Sequence, residues 1–389
     1  MLASFKVDNY RSFARPQEIE IRPLTLFFGW NSGGKSALLR FLPLISESIQ
    51  VAGPPIWLGG DVGRNATWPS LVSKATGRGA LTFSLSWAGE QPLSVEWKIN
   101  GDLEGRWQEI ESVRLGNLIK ELPTGNWAGL LPVNESELPL SMEKSLLRKY
   151  LQELQAEVQW ISGIRTRPAR VITYGGGTTS MIHSNGADAV HHLIAAQLRS
   201  TSDPLLVATN AFFSALGEQL VLDNPIDGVW RILVQPSNSP NVRVDLCDTG
   251  EGYSQVLPVL VALARARISG PRLLCLEQPE LHLHTKAQME LATQLVLAAT
   301  SARKPAVLVE THSEVLLTAV QLAIANGEIP AEDVKVYWVE PQADGTSDAV
   351  PVTFNSLGQP ETSTLSDAFG EALRLGQRLL SIQLRSATK

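Results

Sequence analysis

Through the first hundred residues the apolar positions fall into short runs at 4–7, 18–21, 24–28, 80–87 and 93–99, parted by polar turns. In the last two, ALTFSLSW and LSVEWKI, apolar and polar side chains alternate, which lays one face of each segment on a core. Between them stands Ala88-Gly89-Glu90-Gln91-Pro92, so an antiparallel hairpin is predicted. The run PLTLFF at 23–28 is apolar almost throughout and predicts a buried strand. From 101 to 227 the rhythm changes. Leu146, Leu147, Tyr150, Leu151, Leu154 and Val158 recur at helical spacing, while Pro123, Pro132, Pro139 and Pro168 interrupt the pattern. A mainly helical insertion of several short helices is the expectation.

From 228 to 389 strands and helices alternate. A strand pair is predicted at 229–234 and 242–246, with further strands at 273–276, 306–309, 334–339 and 349–354. Helices are predicted at 253–267, 286–299 and 314–325, and Leu365, Phe369, Ala372, Leu373, Leu379 and Leu380 mark a terminal amphipathic helix. Buried strands alternating with helices define an α/β fold with a mainly parallel sheet, here flanked by an antiparallel β subdomain. The predicted organisation is an N-terminal lobe over 1–100, the insertion over 101–227 and a C-terminal lobe over 228–389.

Chemistry begins where the first buried strand ends. Residues Gly29, Trp30, Asn31, Ser32, Gly33, Gly34, Lys35 and Ser36 read G-x-x-x-x-G-K-S, and the helix-prone SALLRFL follows. Such a loop turns the backbone N–H groups of Gly29, Asn31, Ser32, Gly33 and Gly34 inward at phosphate oxygens, and the helix N-terminus adds partial positive charge. Lys35 is placed to reach the β- and γ-phosphates, and the Ser36 hydroxyl to ligate Mg²⁺. A nucleoside triphosphate is the expected ligand.

Later segments narrow the reaction. RLLCLEQPE, from Arg272, runs four apolar residues into Glu277, the pattern of a Walker B strand whose acid holds the Mg²⁺ shell. AVLVETHS, from Ala306, ends another buried strand in a polar cluster, and its His312 is expected to overlook the γ-phosphate. LCDTGEGYSQ, from Leu246, places Gly250, Gly252, Ser254 and Gln255 at a helix start, a second anion-binding cap. Two caps so far apart in sequence suggest that they act across a subunit interface.

Composition adds little and excludes some classes. A formal net charge of −6 over 389 residues gives no overall basic field, so nucleic acid would need a local patch. The two cysteines, Cys247 and Cys275, are too few for a disulfide framework and are expected as reduced packing residues. The N-terminal MLASFKVDNYRSF lacks the apolar core of a signal peptide, and no window approaches a membrane span. A cytoplasmic protein is expected.

The order of these motifs resembles that of ABC-type ATPase heads, on the RecF and structural-maintenance-of-chromosomes (SMC) side. It is especially similar to the ATPase module of the overcoming-lysogenisation-defect family. The resemblance rests on Asn9-Tyr10-Arg11-Ser12-Phe13, the G-x-N-x-G-G-K-S loop, G-x-G-x-S-Q, E-x-P-E-L-H-L-H and E-T-H-S-E. It implies ATP with Mg²⁺ as cofactors, Arg11 near the nucleotide, and a homodimer in which Ser254 meets the γ-phosphate held by the other copy. Arg165, Arg167 and Arg170 fall where relatives carry arginines, although a solvated basic turn accounts for them equally well. The implied setting is antiphage defence or DNA maintenance, with a separate effector such as a nuclease under control.

The chain also departs from that pattern. Gln278 stands where most such heads carry a catalytic glutamate, and an amide cannot accept the proton of the attacking water. The shared E-Q-P-E form of some relatives implies Glu280 as a substitute base, and slow hydrolysis is expected. No Q-loop glutamine is evident, and the 175–179 run GGGTT reads as a loop. The insertion is too short and proline-broken for coiled-coil arms, and the 77 residues after His312 leave no room for a nuclease domain. Two other readings compete: the nucleotide-binding subunit of a transporter, and a scaffold that binds ATP without turnover.

Overall fold

Alternate residues of the strand Leu24–Gly29 face two different cores, which is why the run is apolar throughout. Leu24, Leu26 and Phe28 enter one core and Phe27 the other. The same division repeats on Leu273–Glu277, where Leu274 and Leu276 oppose Leu273 and Cys275. On Ala306–Thr311, Val307 and Val309 oppose Ala306 and Leu308. These strands belong to one six-stranded sheet in a computed structural model that describes residues 1–49, 53–102, 104–105, 107–116, 127–132, 141–239, 241–362 and 365. Its order is Ser347–Val352, Val334–Pro341, Leu24–Gly29, Ala306–Thr311, Leu273–Glu277 and Val158–Ile161. All neighbours are parallel except the outermost pair, Val334–Pro341 with Ser347–Val352. The helices Glu251–Ile268, Thr285–Ala299 and Glu314–Ala325 fill the first core, and Lys35–Ser48 lies in the second.

The second core is closed by an antiparallel sheet ordered Gln17–Glu20, Leu2–Asp8, Ala80–Trp87, Leu93–Gly101 and Gln108–Leu115. The predicted hairpin is its centre, with Phe83 opposite Trp97 and their rings stacked at 5.1 Å. Phe83 and Phe5 both meet Phe41 of the Lys35–Ser48 helix, at 5.4 and 5.2 Å, and so clamp this sheet to the helix behind the glycine-rich loop.

Residues 101–227 differ from the mainly helical expectation. The helices Ser141–Glu157, Ala189–Arg199 and Pro204–Ala215 are present, but the region also gives strands to every large sheet. Gln108–Leu115 edges the antiparallel sheet, and Val158–Ile161 edges the central one. Glu218–Ile226 pairs with Val229–Pro236 in a third sheet that also holds Ile172–Thr173 and Val244–Asp245. The helical spacing through Leu146, Leu151 and Leu154 stops at Glu157, and Val158 starts the strand. A fully buried four-residue strand offers no alternation to read, so it looked like the end of the helix.

Other differences are smaller. Of the predicted strand at 242–246 only Val244–Asp245 forms, a 3₁₀ turn follows at Leu246–Asp248, and the next helix starts early, at Glu251. Cys275 is buried as expected, whereas Cys247 is partly exposed. The GGGTT run has no regular structure, and the predicted terminal helix lies, beyond Leu365, outside the described residues. Among the described residues no helix is long and apolar enough to cross a membrane.

Candidate functional site

The loop between Leu24–Gly29 and Lys35–Ser48 is shaped by close neighbours that only glycine tolerates. Gly29 has φ +146°, and a Cβ there would lie 2.2 Å from the Val339 carbonyl oxygen. Gly34 has φ +102°, and its Cβ would meet Ser12 Oγ at 2.6 Å and the Phe13 ring at 2.9 Å. Gly33 is similarly tight against Val339 O, at 3.0 Å. The Asn9–Phe13 motif is therefore a structural seat for the loop. Asn9 Nδ2 donates to Arg78 O and Ala80 O, the Tyr10 hydroxyl donates to Ala37 O, and Phe13 and Ser12 press on Gly34. Arg11 lies in this turn, its backbone N–H on Leu71 O and its Nε buried without a partner. Asn31 and Ser32 form the exposed tip, Ser32 with φ 61°.

Lys35 is buried, and its Nζ donates to the loop's own carbonyls, Gly29 O at 3.0 Å and Trp30 O at 2.6 Å. Burial lowers its pKa to about 8, against the pull of Glu310 and Glu280. These bonds fold the lysine back onto its own loop.

Three carboxylates crowd the C-terminal edge of the sheet, each held differently. Glu277 and Glu310 are in register at the ends of neighbouring parallel strands. Glu277 accepts from Arg40 Nε at 2.5 Å and Nη2 at 2.6 Å, from Trp160 Nε1 at 2.8 Å and from the Gly163 N–H at 3.2 Å. Glu310 Oε1 accepts from Ser36 Oγ at 2.8 Å and from Gln278 Nε2 at 3.4 Å, while its Oε2 is buried without a partner. Glu280 Oε1 accepts from Thr311 Oγ1 at 2.6 Å and the His312 N–H at 3.1 Å, and its Oε2 is likewise unpartnered. Burial raises the pKa of both Glu280 and Glu310. Glu280 therefore braces the turn that carries His312. His312 is half-buried beside the Gly29 backbone, and burial together with the Lys35 charge lowers its pKa, which keeps the ring neutral at pH 7. Gln278 takes a left-handed φ of 39°, and its N–H donates to Glu310 O.

The glycine–serine segment opens the helix Glu251–Ile268, with Gly250 exposed at its N-cap. Gly252 is packed under His282 O, 2.7 Å from where a Cβ would stand. Ser254 points inward: it is buried and its hydroxyl donates to Leu246 O at 3.3 Å. Gln255 and Arg165 bond each other reciprocally. Gln255 Nε2 donates to Arg165 O at 3.1 Å, and Arg165 Nη1 donates to Gln255 O at 3.1 Å. Arg165 Nη2 also donates to the carbonyls of Glu277 and Gln278. The other two arginines neutralise acids at the helix start, Arg170 pairing with Asp248 at 2.6 Å and Arg167 with Glu251. Only Arg165 is buried; Arg167 and Arg170 form their pairs at the solvent-exposed surface.

The structure thus brings Gly29, Gly33, Gly34, Lys35, Ser36, Gln278, Glu310 and His312 around one loop, and it leaves Ser254 facing its own chain. Arg40, Trp160, Glu310 and Arg165 carry the charge arrangement, and sequence reasoning gave none of them a role in it. Two signals were available: a lone arginine inside the apolar run ALLRFLPLI, and AVLVE, which repeats the form of LLCLE.

Residues 224–318 match the family described as "AAA domain, putative AbiEii toxin, Type IV TA system". No curated protein matches the chain. Among solved structures, an SMC head bound to the C-winged helix domain of ScpA is similar at a TM-score of 0.52 and 12% identity, over 90% of this chain and 97% of that one. An SMC head domain from Thermotoga maritima (TM-score 0.45, 14% identity, 90% and 98%) also matches. So does an Smc head domain with an extended coiled coil bound to the C-terminal domain of ScpA, derived from Pyrococcus furiosus (0.49, 12%, 90% and 96%). The first of these matches, with the strand order above, shows that the chain has the α/β fold of an SMC head domain.

Two predictions follow from the buried charges. Arg40→Met leaves Glu277 buried without its cation and is expected to cost about 3–5 kcal/mol, read as a lower urea midpoint. Adding Glu277→Gln restores part of that loss, and a double-mutant cycle measures the coupling. For Lys35, the pKa rises from about 8 in the folded chain to 10.5 unfolded. The unfolded chain then holds more protons between those values, so stability rises with pH across that window. Lys35→Met removes the penalty, and its stability advantage over the ligand-free wild type is expected to shrink as pH goes from 7 to 10.

Proposed function

We propose that this chain is an ATP-binding head that dimerises around Mg²⁺-ATP, hydrolyses it slowly and uses the dimer to control a separate effector protein. The observation that carries the reading is the strand order. Leu24–Gly29, with the glycine-rich loop, is next to Ala306–Thr311 and His312, and Leu273–Glu277 comes after. That order sets Lys35, Ser36, Gln278, Glu310 and His312 at one edge. A hydroxyl and carboxylates are hard oxygen donors, which fit Mg²⁺ together with nucleotide phosphates. Such an ion would offset charge on the β- and γ-phosphates.

Dimerisation is supported by the exposed start of the Glu251–Ile268 helix, whose first-turn N–H groups suit the terminal phosphate of a partner's nucleotide. The Ser254 hydroxyl is turned inward, so the helix N-terminus itself is the better candidate for that contact. Slow turnover is supported by Gln278, whose amide donates to Glu310 and cannot act as a base. The same residue favours the non-hydrolysing scaffold as a second reading. Antiphage defence or DNA maintenance, the setting implied by the overcoming-lysogenisation-defect resemblance, remains part of this proposal.

Size-exclusion chromatography in Mg²⁺-ATP tests the clamp: the wild type is expected to move to a dimer, and Lys35→Ala to stay where the nucleotide-free protein runs. An oligomeric state indifferent to both ATP and Lys35 speaks for the scaffold. Steady-state phosphate release tests turnover. Gln278→Glu is expected to raise it by about 100-fold, the low end of what a positioned base supplies, because the new carboxylate stands against Glu310. A fast wild type that Gln278→Glu does not improve overturns the slow-hydrolysis reading.

A further inference from the structure

We propose that the protein ligand to Mg²⁺ from the strand ends is Glu310, beside Ser36, and that Glu277, in the Walker B position, is a structural counter-ion. This assignment rests on the nucleotide-binding reading above. The ordinary arrangement gives the metal to the P-loop hydroxyl and a Walker B aspartate. Here the Walker B acid is a glutamate, and both its oxygens are already taken. Arg40 binds it in a bidentate fork at 2.5 and 2.6 Å, with Trp160 Nε1 and the Gly163 N–H completing its shell. To reach a metal it would release the guanidinium, leaving the largely buried Arg40 against the Trp160 ring without its carboxylate partner.

Glu310 is arranged in the opposite way. It is 2% exposed, its Oε1 accepts the Ser36 hydroxyl at 2.8 Å, and its Oε2 is buried with no partner. An unpaired buried carboxylate oxygen is costly unless something occupies its lone pairs. The hydroxyl that should ligate the ion thus already touches Glu310 and makes no bond to Glu277. Among the described residues no group of three or more His, Cys, Asp and Glu side chains could hold a metal. One carboxylate and one hydroxyl are too few for an octahedral ion, so Mg²⁺ is expected to enter with the phosphates that complete its shell.

Mn²⁺ electron paramagnetic resonance with adenylyl imidodiphosphate tests the assignment. Glu310→Gln is expected to weaken Mn²⁺ in the ternary complex by about 10-fold or more, while metal-free binding of the analogue stays within about 3-fold of wild type. Glu277→Gln is expected to lower the thermal midpoint yet retain Mn²⁺. Glu310→Cys decides the matter even where Glu277→Gln does not fold: a thiolate ligand shifts the preference from Mn²⁺ toward Cd²⁺, and a merely structural residue does not. Mn²⁺ held equally by Glu310→Gln, or no shift toward Cd²⁺ in Glu310→Cys, overturns the metal assignment alone. A wild type that binds no analogue overturns the nucleotide reading and this one together.

Discussion

Three buried carboxylates and three cations, two buried and one partly so, lie along one edge of a mainly parallel sheet and set the terms for the rest of the molecule. Removing an ion from water costs several kcal/mol unless it is paired and hydrogen-bonded, so Glu277, Glu280 and Glu310 oblige the chain to bring up Lys35, Arg40 and Arg165. Otherwise odd placements then have a cause. An arginine interrupts the apolar face of the helix Lys35–Ser48 because Glu277 lies beneath it. The Trp160 side chain brings its indole N–H to the same carboxylate. Arg165, whose pKa burial lowers to about 10, spends its donors on backbone carbonyls at the strand end.

The glycine-rich loop is as much a product of its surroundings as of its own composition. Val339 on the neighbouring strand and the Ser12–Phe13 turn leave no space for side chains at 29, 33 and 34. Those neighbours come from opposite ends of the chain, so the loop takes its shape only when the antiparallel sheet and the central sheet are both in place. The exposed Trp30 at its rim rests edge-on against Trp338, 6.1 Å between centroids, which anchors the outer side of the turn.

Much of this architecture was legible in the residues. The buried strands at 24–28, 273–276 and 306–309 were visible as unbroken apolar runs, and each runs into a residue of the candidate site. The glycine-rich loop announced itself by spacing alone. What failed to show was whatever depends on long-range pairing. Val158–Ile161 and Glu218–Ile226 are strands because of the sheets they join, and their own sequences are short or mixed in polarity. The inward turn of Ser254 and the partnering of Glu277 with Arg40 are decided by packing between segments far apart in sequence. Two apolar strands ending in glutamate look equivalent in a sequence, and only the arginine above one of them makes them different.

Arg165 and Gln255 grip one another while the same guanidinium holds the carbonyls of Glu277 and Gln278. The helix that begins at Glu251 and the strand that ends at Glu277 are therefore mechanically yoked. Moving the helix start relative to the strand end would break bonds of a single buried side chain, a tie made apart from the glycine-rich loop.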